Sequence, residues 1–187
     1  MVIRSETDAD PGAIADVTVA AFSTLPIGNH TEQFIVAALR AAKALTVSRV
    51  AEMDGRVVGH IAFSPVVMSD GSPGWYGLGP ISVLPQWQRR GIGGALIQEG
   101  LSRLKGLGAR GCCLVGHPEY YMRFGFQNTR GLVHNGVPED VFFVMSSDEH
   151  IPQGVVEFHE GFKAAGRRVI AAATTSGCGS GICRWAA

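Results

Sequence analysis

The sequence predicts a single mixed α/β (α+β) domain. Three observations carry this. A strand-like segment, Trp75 to Val83, runs through a glycine- and arginine-rich turn straight into a helical pattern. Two β-rich runs, Thr46 to Met53 and Arg56 to Met68, flank Asp54-Gly55, the favoured two-residue hairpin turn. Helical and strand patterns then alternate as β-α-α-β-β-β-α-β-α-β-β, with no internal repeat. At 187 residues the chain fits one domain and can bury a real core.

Val2 to Arg4 reads as a short first strand. Asp10-Pro11 starts a helix in which Ile14, Val17, Ala21 and Phe22 recur at helical spacing. A loop over Ser23 to His30 follows. Asn29 and Glu32 have capping-box spacing and open a second helix through about Ala42, with Ile35, Ala38 and Leu39 on its apolar face. After the hairpin, Asp70-Gly71-Ser72-Pro73-Gly74 is a second turn. Gly77, Gly79 and Pro80 interrupt the next strand, which implies a bulge or splayed pairing. The following helix, Gly93 to Leu107, buries Ile97, Leu101 and Leu104 and ends at Gly108. Cys112 to Val115 is a buried strand, followed by a short helical turn and a Phe124-Gly125-Phe126 strand start. Val141 to Met145 and Val155 to Phe158 close the fold. From about Ala171 the residues turn small and glycine- and serine-rich, which predicts a mobile tail over 171–187 behind a domain of 1–170.

Composition excludes several classes. Sixteen basic and sixteen acidic residues cancel, so nothing argues for bulk nucleic-acid affinity. No apolar run approaches the roughly 18 residues of a membrane span. The N-terminus lacks the charged and apolar regions of a signal peptide, and a cytoplasmic protein is expected. Cys112 and Cys113 are adjacent in a strand, so their side chains point to opposite faces and read as small buried hydrophobes. Cys178 and Cys183 lie in the tail with no histidine nearby, and no metal site is expected.

The chemistry centres on Gln88-Arg89-Arg90-Gly91-Ile92-Gly93-Gly94. A turn of this kind at a helix start aims backbone N–H groups at one point, where the helix dipole adds positive charge. Glycine lets an anion approach the backbone, and Arg89 and Arg90 add permanent charge. The run is neither Gly-x-x-x-x-Gly-Lys-Ser/Thr nor Gly-x-Gly-x-x-Gly, so it matches neither common nucleotide fingerprint. It resembles the acetyl-CoA signature of the GNAT acetyltransferase superfamily, Gln/Arg-x-x-Gly-x-Gly/Ala, met here by Gln88, Gly91 and Gly93. Tyr121 to Phe126 matches that family's Tyr-x-x-x-Gly-Phe. The resemblance spans roughly residues 1 to 170.

That resemblance implies a twisted, mostly antiparallel sheet with helices on both faces. It implies acetyl-CoA as cosubstrate, gripped by Gln88, Arg89, Arg90, Gly91, Ile92, Gly93 and Gly94, with Ile81, Ser82 and Val83 alongside the pantetheine chain. It implies acetyl transfer to a primary amine of a small or amino-acid-like acceptor, with Tyr121 as proton donor to the leaving thiolate. Members are often dimers, so a homodimer is the partner state implied, although no stripe in the sequence marks a dimer face. A main-chain N–H near Ser82 and Val83 would hold the oxyanion. His117, at the end of a strand, is the second catalytic candidate. The base that deprotonates the amine is Glu32, His60, His117 or Glu119, and the sequence does not choose among them. Tyr120 competes with Tyr121 for the acid's role. His117-Pro118 leaves room for only a turn where many members carry a full helix, so the acceptor pocket departs from theirs. A protein lysine or N-terminal acceptor, a CoA-binding domain without turnover, and a different phosphate binder are the alternatives.

Overall fold

The computed structural model describes residues 1–23 and 31–165. Most of the first loop, Asn29, and the tail with Cys178 and Cys183 lie outside the described residues. Strands β1 (Val2–Ser5), β2 (Val47–Met53), β3 (Arg56–Met68), β4 (Trp75–Val83), β5 (Gly111–Val115), β6 (Leu132–Val133), β7 (Phe142–Ser146) and β8 (Gly154–Phe158) join helices α1 (Pro11–Ser23), α2 (Glu32–Ala41), α3 (Ile92–Gly106) and α4 (Pro118–Tyr121). The main sheet runs β1-β2-β3-β4-β5-β7, and β8 pairs with the far end of β3 and with β6. The ladders are antiparallel except β4–β5 and β6–β8. This is the mostly antiparallel mixed sheet expected.

The β2–β3 turn is closed by Asp54 and Gly55, both at positive φ, as a twisted two-residue hairpin requires. Four expectations need correction. Residue Thr31, not Asn29, is the N-cap of α2, and it makes no side-chain cap bond. Helix α3 begins one residue earlier than its periodicity suggested, because Gly91 takes the left-handed cap position. Gly125 is also left-handed and ends a 3-10 turn, Met122–Phe124. The expected strand start at Phe126 is therefore reduced to one isolated bridge, Gln127 to Val144. The short β6 was not expected at all; its two residues pair with β8, and Leu132 is buried in the adjoining apolar cluster.

Helix α3 covers one face of the sheet. Ile61, Phe63, Leu78 and Ile81 meet Ile92, Leu96, Ile97 and Leu104 there, in a cluster that extends to Cys112, Tyr121, Phe126 and Phe143. Each such aliphatic or aromatic side chain contributes about 1.5–3 kcal/mol on burial. The approach is close: a Cβ on Gly100 would collide with the Phe63 ring. Helices α1 and α2 cover the opposite face, where Ile14 and Val36 pack on Val50. Cys112 and Cys113 are both buried and fall into different clusters, on opposite faces as alternation requires. No described helix is long and apolar enough to cross a membrane.

Two irregularities in β4 shape the centre of the sheet. Ile61 pairs with Ile81 but Phe63 pairs with Leu78, so β4 carries an extra residue around Gly79-Pro80. A bulge of this kind bends the strand and adds local twist. On its other side β4 pairs with β5 only at Trp75, Tyr76 and Gly77, opposite Gly111, Cys112 and Cys113. Beyond Gly77 the two strands part.

Candidate active site

The turn after β4 is tied back to β3 and to the strand it leaves. The Leu84 N–H donates to the Val58 carbonyl at 2.9 Å, and a 3-10 turn follows over Pro85–Trp87. Gln88 Nε2 donates to the Val83 carbonyl at 3.0 Å. The Gln88 side chain thus braces the cradle, a role the motif alone did not reveal. Arg89 and Gly91 both adopt positive φ, 60° and 82°, and this double reversal swings the chain into α3. A Cβ on Gly91 would meet nothing within 4 Å, so its glycine is required by backbone conformation rather than by crowding.

Gly91 is the N-cap of α3 and supplies no side-chain cap. The first bond closing back on it is Ala95 N–H to the Gly91 carbonyl at 3.0 Å. The N–H groups of Ile92, Gly93 and Gly94 thus lack intrahelical partners and point out of the helix start. Arg89 and Arg90 are exposed beside them, and the Arg90 guanidinium lies 4.9 Å from the Trp87 ring centre. Stacking of this kind orients an arginine while leaving its donors open. Ile81, Ser82 and Val83 are all buried. Ile81 and Val83 face α3, while Ser82 faces α1 through Thr18. Past Gly77, then, β4 offers main-chain groups to the gap beside β5.

The two sequence motifs converge at this point. Gly94 sits where a Cβ would come 3.4 Å from the Phe124 ring, so the first turn of α3 rests on the Tyr121–Phe126 segment. The missing Cβ of Gly116 leaves room for the Tyr121 ring, which makes edge-on contacts with Tyr120 and Phe126 at 5.1 and 6.1 Å. Tyr121 is fully buried, and among the described residues its hydroxyl has no hydrogen-bond partner. A phenol hydroxyl left in this state is costly unless a ligand completes it. Burial, then the neighbouring Tyr120, push its pKa well above the ordinary phenol value, so it stays protonated. Tyr120 is half-buried instead, with the Arg123 guanidinium 5.0 Å from its ring centre.

The base candidates separate by environment. His117 caps the four-residue α4 and is exposed, as is Glu119. Glu32 and His60 are buried, and Glu32 Oε2 and His60 Nδ1 each lack a partner among the described residues. His60 is not isolated, however. Its Nε2 lies 2.8 Å from Ser48 Oγ, Ser48 bonds to Glu6, and Glu6 pairs with Arg40 at 2.8 Å. This chain of polar residues escaped sequence reading entirely. A cavity of about 240 Å³ opens beside α1 and the start of α2, lined by Val19, Phe22, Ser23 and Gln33. Two others, of about 440 and 460 Å³, flank the C-terminal half of α3, away from the cradle. No group of three or more metal-ligating side chains occurs among the described residues.

Comparison with known proteins agrees with this geometry. Residues 44–128 match the family model of the acetyltransferase (GNAT) domain. The chain is 33% identical over 128 residues to the uncharacterised N-acetyltransferase YhbS of Escherichia coli K12, covering 68% of this chain and 74% of that protein. It is 32% identical over 127 residues to the uncharacterised N-acetyltransferase YjhQ of the same organism, covering 66% and 67%. Among solved structures, a GNAT family acetyltransferase from Brucella melitensis in complex with acetyl-CoA superposes with a TM-score of 0.78. It shares 50% identity over 86% of this chain and 97% of that one. The YhbS crystal structure in complex with CoA gives a TM-score of 0.80 at 31% identity, over 88% and 93%. The cradle, the parted strands and these relatives together place the chain in the GNAT family of N-acetyltransferases.

Proposed function

We propose that this protein transfers the acetyl group of acetyl-CoA to a primary amine of a small-molecule or amino-acid-like acceptor, by direct attack of the amine on the thioester. The observation that carries the reading is the alignment of three features. An uncapped helix N-terminus with two arginines suits a pyrophosphate. A gap opens between β4 and β5 just before it. A buried, unpartnered hydroxyl, that of Tyr121, belongs to the segment packed against that helix start.

In this reading Arg89, Arg90 and the N–H groups of Gly91 to Gly94 hold the pyrophosphate. The main chain of Ile81 to Val83 lies along the pantetheine arm, and one of its N–H groups faces the oxyanion. Bound acetyl-CoA supplies an activated acyl group and a thiol leaving group. Tyr121, kept protonated by burial, gives its proton to the departing sulfur. Direct attack is supported by the cysteines: Cys112 and Cys113 are buried and their thiol pKa values are raised by burial, which makes them poor acyl carriers. The proton lost by the attacking amine passes to water or to His117, which lies exposed just past the end of β5. A cytoplasmic location belongs to the same reading, because acetyl-CoA is an intracellular metabolite.

Calorimetric titration with acetyl-CoA, with ATP and NAD as controls, tests the cradle, and selective acetyl-CoA binding is the expected result. An amine panel then tests turnover. In the Tyr121→Phe variant kcat should fall about 10²-fold, the lower scale of general acid catalysis, with acetyl-CoA affinity retained. A full-speed variant would remove Tyr121 from the chemistry. Tight binding with no acetylated amine would favour a CoA-binding domain without turnover.

A further inference from the structure

The polar chain under α1 and α2 has a direction that can be worked out hydrogen by hydrogen. Burial alone would raise the Glu6 pKa, but hydrogen bonds from Arg40 and Ser48 outweigh it and hold Glu6 below the usual carboxylate range. Glu6 is therefore ionised and can only accept. Ser48 has one hydroxyl hydrogen and gives it to Glu6. Toward His60, Ser48 Oγ can then only accept, so the 2.8 Å contact requires a proton on Nε2. Burial pushes the His60 pKa down to about 4, so the ring is neutral and Nδ1 is bare. That Nδ1 is buried and has no donor among the described residues.

A second hydrogen count meets the first. Thr18 gives its one hydroxyl hydrogen to the Ile14 carbonyl at 2.7 Å. The 3.2 Å contact between Thr18 and Ser82 must therefore be donated by Ser82. Ser82 Oγ keeps only acceptor lone pairs for any further neighbour. Ser82 and His60 stand directly opposite each other on β4 and β3, which puts their side chains on one face with Cβ atoms about 5 Å apart. Among the described residues two acceptors thus share this part of the face with no donor bonded to Nδ1, and one of them belongs to the Ile81–Val83 stretch of the cradle.

We propose that His60 is a positioning residue: its tautomer is locked by Glu6 through Ser48, and its Nδ1, together with Ser82 Oγ, holds one water whose lone pair accepts the N–H of the incoming amine. Most buried polar side-chain atoms are hydrogen-bonded, so an enclosed, bare Nδ1 calls for a partner. The inference rests on the acetyltransferase reading for the identity of the amine, and on hydrogen-bond counting alone for the acceptor pair. The charged groups acting on His60 are Glu6, Arg40 and Asp10; they pair with one another or with Arg4, so the ring sees little net charge.

Two measurements test it on the full chain. Nitrogen-15 NMR of the histidine side chains should show His60 as the Nε2–H tautomer, with bare Nδ1, from pH 8 down to pH 5. Addition of an acetylated amine's parent compound should shift the Nδ1 resonance. Kinetics then separate the two nitrogens. His60→Gln keeps a donor toward Ser48 but loses the Nδ1 acceptor, and its kcat/KM for the amine should fall about tenfold, the scale of one lost hydrogen bond. The KM for acetyl-CoA should not move. His60→Asn places a carbonyl oxygen near the Nδ1 position and should recover most of the loss. An Nδ1–H tautomer, an Nδ1 resonance indifferent to amine, or a His60→Gln enzyme with unchanged amine kinetics would each overturn the proposal. A wild-type protein that acetylates no amine would remove the amine assignment, while the tautomer spectrum would still decide the acceptor pair.

Discussion

The two faces of the central sheet are built from different materials. Under α3 the contacts are mostly apolar, from Ile61 and Phe63 across to Leu96 and Leu104, with the Arg49–Glu99 ion pair beside them. Under α1 and α2 the sheet buries Thr18, His60 and Ser82, joined on one side to Ser48, Glu6 and Arg40. The first face fixes α3, and through it the main-chain cradle at its N-terminus. The second holds oriented side-chain hydrogen bonds against the inner side of the same strand. A hydrophobic face tolerates no titration and sets position; a buried polar face sets orientation and carries the protein's sensitivity to pH.

The largest expected effect breaks the apolar face. Phe63 is fully buried and nested against Gly100 of α3. Phe63→Ala should cost about 3–5 kcal/mol of stability, measured by chemical denaturation, and acetyl-CoA affinity should fall with it because the cradle rides on α3. Stability lost with affinity intact would show that the cradle does not depend on that packing.

The next effect sharpens the contrast through pH. His60 has a folded pKa of about 4 against 6.5 unfolded. Between these values the unfolded chain binds more protons than the folded one, so stability is present above pH 6.5 and is lost as pH falls toward 4. The full loss is about 3 kcal/mol at 1.36 kcal/mol per unit. Denaturation midpoints between pH 7 and pH 4 should decline in the wild type and flatten in His60→Gln. An equal decline in both would move the acid sensitivity elsewhere; Asp10, whose pKa is lowered chiefly by its bond from Arg4, acts only at the acid end.

The smallest effect on the fold falls at the cradle itself. Gly91→Asp forces a side chain onto φ 82° and sets a negative charge among donors that await an anion. Stability should drop by about 1 kcal/mol, while acetyl-CoA affinity should fall by far more, which titration calorimetry would read. Unchanged affinity would detach Gly91 from the ligand.

The two faces also differ in how well the sequence announces them. The cradle is continuous in the chain, so strand, turn and helix could be read together; the β4 limits, Trp75 and Val83, came out as expected. The pairing gap was foreshadowed by Gly77, Gly79 and Pro80. The polar face is discontinuous. Ser48 and His60 become neighbours only because β2 and β3 pair with Val50 opposite His60 and Ser48 opposite Ala62, and Glu6 joins them because β1 pairs with β2. No local pattern encodes that register. His60 could be named as a base candidate from its residue type, but its neutral, locked state could not. Gln88 shows the converse case: its motif position was legible, yet its side chain bonds within the cradle. Phe126 misled because its spacing suits a strand, while Gly125 turns the backbone away first.

The parting of β4 from β5 has one more consequence. An unpaired strand edge is ordinarily the part of a protein most open to unwanted association with other chains. Here the open edge is placed in the middle of the sheet, with β3 bound along its outer side and β5 and β7 standing across the gap. A further protein strand needs about 4.7–4.9 Å of clearance to each neighbour, and it would have to thread between two strands already joined at Trp75–Gly77. The enzyme thus keeps its spare bonding groups inside its own architecture, where they do not tempt another copy of itself to aggregate.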